Sequence, residues 1–91
     1  MLKFEWDVIK AGLNRWRHRI EFTEARSVFY DEAAVQFFDT AHSDDEERFL
    51  LLGMSDAGRL LLVSHCEAGD AIRIISARKA TRNEQKHYRG W

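Results

Sequence analysis

Arg78 and Lys79 stand near the end of a short apolar run, in the string "DAIRIISARKATRNEQKHYRG" at 70–90. Arg73, Arg82, Lys86 and Arg89 add further cations, and Glu84 is the only acid after Asp70. A guanidinium can grip two oxygens of one phosphate and an ammonium supplies a compact charge, so the pair is suited to holding a polyanion. Residues 10–19 carry Lys10, Arg15, Arg17 and Arg19 without an acid, a sum of +4, and residues 71–91 sum to +5. Residues 20–70 sum to −9, and the net charge of −1 conceals this segregation. If the basic ends meet in the fold, they form one positive patch fit for phosphates. Charge runs are also found as solvated helix faces or paired with acids such as Asp44 to Glu47, and charge alone leaves that reading open.

Four further side chains could move protons. His65, in "RLLLVSHC", shares a predicted strand face with Arg59, Leu61 and Val63, which would open it onto the basic surface. An ordinary pKa of about 6.5 suits an imidazole to general acid or base work, although a histidine near a strand end is more often structural. His42, beside Ser43 and Asp44, reads equally well as a turn or cap that fixes a loop. His18 closes a helix, where an imidazolium opposes the dipole. Tyr88 is a proton donor or stacking ring, or an anchor for the last helix. His18, His42, His65 and Cys66 show none of the paired spacings of metal sites, so no metal and no other cofactor is expected. The chain has neither a glycine-rich phosphate loop nor a Gly-x-Ser-x-Gly elbow, which argues against nucleotide hydrolysis and esterase chemistry.

These side chains must be held by a small scaffold. With 91 residues, 45% hydrophobic and 12% aromatic, the chain suffices for one core, and a single domain over 1–91 is expected. The lone Cys66, with no apolar stretch of about 20 residues and no signal peptide, points to a reducing, cytoplasmic setting away from membranes. "KFEW" reads as a short strand, and Asp7 as the N-cap of a helix to about His18 in which Ile9, Leu13 and Trp16 recur at helical spacing. Thr23 would cap a second helix, closed by Asp31-Glu32. Strands follow at 34–38, 48–54, 59–66 and 71–77, the last three joined by hairpin turns at 55–58 and 67–70. Thr81-Arg82-Asn83-Glu84 matches a capping box at the start of a last helix. The fold class is therefore α+β: a short strand, two helices, an antiparallel meander and a C-terminal helix.

That order, together with "FEWD" at the start, "HSDDEERFLLLG" from His42, "GRLLLVSH" from Gly58 and "RIISARKAT" from Arg73, resembles the BrnT toxins of type II toxin–antitoxin systems. The resemblance spans almost the whole chain. It implies a RelE-like fold and a ribonuclease that cleaves RNA and stops translation. It also implies a BrnA-like ribbon–helix–helix antitoxin as partner, with operator DNA contacted only through the complex. The family usually reads Lys-His-Gly after its first helix, whereas this chain has Arg17-His18-Arg19. A glycine would relieve a left-handed turn there.

Metal-independent RNA cleavage needs a base for the 2′-hydroxyl, cations for the phosphate and an acid for the leaving 5′-oxygen. On the implied activity, Arg48, His65, Arg78 and Lys79 are the candidate catalytic residues. Arg15, Arg17, Arg73, Arg82 and Lys86 are the candidates for RNA contact. A different class of function, a binding module that uses the basic patch on nucleic acid or an acidic protein without chemistry, is what composition alone favours. Under either reading, Phe37-Phe38 and Trp91 are candidates for partner contact or for the core.

Overall fold

The computed structural model describes residues 1–89, so Trp91 lies outside the described residues. Asp7 accepts a hydrogen bond from Ile9 N at 2.8 Å and caps α1, Val8–His18, as its position predicts. α1 ends on Arg19 in the left-handed region, φ 59 and ψ 33, with its N–H donated to Arg15 O at 2.9 Å. α2, Phe22–Ser27, has Glu21 rather than Thr23 at its N-cap and no side-chain capping bond. It runs into a 3-10 turn at Val28–Tyr30 that Asp31 closes.

Five strands form one sheet: β1 Phe4–Glu5, β2 Val35–Phe38, β3 Arg48–Met54, β4 Leu60–Ala68 and β5 Ala71–Lys79, in the order β1-β5-β4-β3-β2. β2 to β5 are the expected antiparallel meander, and β1 adds to β5 in parallel, Phe4 beside Ile72 and Glu5 beside Arg73. α3, Arg82–Gln85, starts in a complete capping box of Thr81 and Glu84. The α+β order read from the sequence is the order of the fold. Among the described residues, no helix is long and apolar enough to cross a membrane.

The two sheet faces differ. On one, Ile20, Phe22, Ala25 and Val28 pack on Leu51, Leu61, Val63, Ile74 and Ala77 as the main core. Gly53 lets the chain around Val28 lie close on β3, since a Cβ there would stand 2.8 Å from Val28 Cγ1 and 2.9 Å from Ala34 Cβ. On the other face, Leu52, Leu60 and Leu62 pack with Tyr88 and Cys66 is also buried, while the middle of that face is open.

A β-bulge decides which residues reach the open face. Ser64 pairs with Ser76 but His65 pairs with Ile74, which leaves Ile75 unmatched on β5. The extra residue reverses the alternation, so Ile74 and Ala77 both join the helix-side core while Ser76 and Arg78 face the other way. Strict period two would have set Ile72, Ile74, Ser76 and Arg78 on one face.

α1 crosses the outer edge of β5, where β1 is too short to pair. Asn14, 5% exposed, donates from Nδ2 to Ala77 O at 2.9 Å and to Ile20 O at 3.0 Å, and accepts from Ala77 N at 3.0 Å. Its amide stands in for a missing strand. The helical spacing of Ile9, Leu13 and Trp16 is real, but they do not form the inner face: they are 75%, 49% and 80% exposed, and Asn14 is the buried residue of α1.

Candidate active site

The open sheet face holds a cleft of about 320 Å³. Its floor is Leu50, Leu62, Ser64 and Ser76, on three adjacent strands. Arg48 enters from β3, Arg78 from β5, and Asp39 and His42 from the turn between β2 and β3, while Glu84 closes the α3 side. Arg78 donates from Nη1 and Nη2 to the two carboxylate oxygens of Glu84, each at 2.8 Å. That bidentate clamp, aided by the Thr81 N–H, pulls the Glu84 carboxyl down to about 2 against the cost of partial burial. Glu84 is thus a fixed anion that holds Arg78 and is poorly suited to accept a proton.

His42 has a different setting. Its Nδ1 lies 3.1 Å from Asp39 Oδ2 and 3.3 Å from Oδ1, and its side chain is otherwise exposed. With Nδ1 facing a carboxylate, Nε2 is the nitrogen available to a bound ligand. Ser43 fastens this turn to the sheet by accepting from Arg48 N at 3.0 Å and donating to Asp39 O. Arg48 itself has only Glu46 nearby, at 3.8 Å, and its buried Nε has no hydrogen-bond partner among the described residues. A buried donor without an acceptor is costly.

Around the rim, Arg78 also borders a second hollow of about 660 Å³ lined by Arg17, His18, Arg19, Arg59, Lys79 and Thr81. The two basic ends of the chain therefore do meet, where α1 and β5 both finish. Arg59 is engaged by Glu24 in a close ion pair that lowers the Glu24 carboxyl, leaving the other cations to define the groove.

The sequence-derived candidates divide accordingly. Arg48 and Arg78 share the cleft, and Lys79 and Arg17 share the adjoining groove. Arg15 lies on the outer flank of α1, paired with Glu21 at 3.3 Å. Arg73 sits toward the opposite end of β5, bonded to Glu5 at 2.9 Å. Arg82 and Lys86 are exposed on and just after α3, outside both hollows. His65 corrects an expectation: it shares a face with Leu61 and Val63, but that face is the covered one. Its ring is 5% exposed, stacked at 5.9 Å on Phe49 and edge-on at 4.8 Å to Phe29, and burial pushes its pKa down to about 4. His42, which the sequence offers as a turn or cap no less than as a proton carrier, lines the cleft together with Asp39, which is not among the sequence-derived candidates although an acid three positions before a histidine in a predicted loop is visible there. Among the described residues, no three His, Cys, Asp or Glu side chains gather where they could hold a metal ion.

A family model described as the ribonuclease toxin BrnT of type II toxin–antitoxin systems matches residues 6–84. Among solved structures, the Brucella abortus ribonuclease toxin BrnT is similar, with a TM-score of 0.70 at 22% identity over 90% of this chain and 100% of that one. At that identity the likeness speaks for the fold. No curated protein matches.

Proposed function

The chain belongs to the BrnT family of ribonuclease toxins of type II toxin–antitoxin systems, and from that membership we propose that it is an endoribonuclease whose reaction takes place in the open-face cleft. The observation that carries this reading is the convergence of Arg48, Arg78 and the Asp39–His42 pair on one uncovered sheet face. RNA enters along the groove of Arg17, Arg19 and Lys79, and the scissile phosphate lies between Arg48 and Arg78. There the two guanidiniums offset charge that builds up on the phosphate oxygens. His42 Nε2 takes the proton of the 2′-hydroxyl while Asp39 orients the ring. The 2′-oxygen bonds to phosphorus as the bond to the 5′-oxygen breaks, leaving a 2′,3′-cyclic phosphate and a 5′-oxygen that takes its proton from water to become a hydroxyl. No metal is required. Lys79 and Arg17 serve RNA binding rather than chemistry, and His65 serves packing. Loss of RNA stops translation, and a ribbon–helix–helix antitoxin restrains the toxin and carries the complex to operator DNA.

The test is incubation of purified protein with labelled RNA in EDTA. Wild type is expected to give products ending in a 2′,3′-cyclic phosphate. Arg48→Ala and Arg78→Ala should each slow cleavage about 10²- to 10³-fold. His42→Ala should slow it by about 10²-fold or more. Salt-sensitive RNA binding without products would favour the binding module instead, and full activity in His42→Ala would overturn the assignment of the base.

A further inference from the structure

The outward side of α1 is apolar and uncovered. Val8 is 80% exposed, and Ile9, Leu13 and Trp16 follow one another along the helix surface away from Asn14, which ties the other side to the sheet. Single exposed apolar residues are ordinary, whereas a contiguous stripe rimmed by charge marks a contact surface. This stripe has a hollow on each flank. One, of about 260 Å³, is lined by Lys10, Leu13, Arg17 and Ile75, and the other, of about 610 Å³, by Gly12, Arg15, Trp16 and Arg19. Of the four cations, only Arg15 has an ion-pair partner among the described residues.

We propose that this face seats an amphipathic segment of a protein partner, apolar along its centre and carrying carboxylates toward both flanks. The partner is the antitoxin, an identification that rests on the function proposed above. Charge complementarity selects this occupant. A second copy docked face to face would bring the same four cations against these four, and like charges repel. A basic amphipathic helix also suits an anionic membrane, but a bilayer offers no side chain to fill the hollow between Leu13 and Ile75. Arg17 and Arg19 line the RNA groove as well, so a segment seated here would compete with RNA for them.

The experiment measures, by calorimetry, the affinity of the full chain for a purified ribbon–helix–helix antitoxin of this family, with RNA cleavage followed in parallel. Ile9→Ser/Leu13→Ser/Trp16→Ser should weaken binding about 100-fold while cleavage stays within about twofold. Lys10→Glu should weaken binding and flatten its salt dependence. If the triple variant fails to fold by circular dichroism, Leu13→Glu alone asks the same question, with an expected loss of about tenfold. Unaltered antitoxin affinity in the folded variants overturns the proposal. So does wild-type binding to phosphatidylserine vesicles, or dimerisation, that the variants lose while keeping the antitoxin. A wild type that cuts no RNA yet binds the antitoxin through this face defeats only the nuclease reading.

Discussion

His65 shows how far residue types alone carry a site. Its place on a strand shared with Leu61 and Val63 was legible, but which side of the sheet the helices would cover was not, because alternation fixes relative faces only. The ring is neutral in the core, and its depressed pKa gives a signed prediction. Between about 4 and the ordinary 6.5 the unfolded chain binds a proton that the folded chain refuses. Stability is then complete above about 6.5 and declines as pH falls toward 4, so the urea midpoint should drop between pH 7 and pH 5. His65→Leu should abolish most of that drop, since the Glu84 carboxyl, lowered from 4.5 to about 2 in the fold, begins to lose its contribution only as pH falls toward 4.5, below the pH 7 to pH 5 range compared. A variant with the same acid sensitivity would mean that another group is responsible. Arg48 and Arg78 were legible from charge and position. His42 reads in the sequence as a turn residue no less than as an acid or base, because only the fold brings its ring to the Asp39 carboxylate.

Elements were more readable than faces. The Asp7 cap, the Thr81–Glu84 capping box and the meander all rest on short-range chemistry, so local sequence specifies them. The bulge at Ile75 depends on how β5 meets β4, and nothing in "RIISARK" announces it. Arg19 is the reverse case, a local conflict that the sequence did announce. It holds a left-handed conformation at the end of α1 that glycine adopts freely, and it also faces the basic groove. Arg19→Gly should therefore stabilise the fold by about 0.5–1 kcal/mol while weakening RNA binding. Thermal unfolding beside an RNA titration checks both. A variant that gained stability and kept full affinity would show that the strain serves no groove contact.

For the whole molecule, segregated charge matters more than net charge. The acidic middle lowers the net charge to −1, yet α1 and β5 bring their cations to a common end. If Arg17, Arg19, Arg78 and Lys79 each meet one phosphate, the logarithm of RNA affinity should fall against the logarithm of salt with a slope of about −3. Arg17→Ala/Lys79→Ala should reduce that slope to about −1.5. A slope that the double variant leaves unchanged would place the RNA elsewhere. Asn14, finally, ties the lifetime of this molecule to one carboxamide. Slow hydrolysis to aspartate would turn its –NH2, which donates to both Ala77 O and Ile20 O, into an anionic oxygen facing two carbonyls. Chemical ageing at this position would release α1 from the sheet, and burial inside a helix is what shields the amide from it.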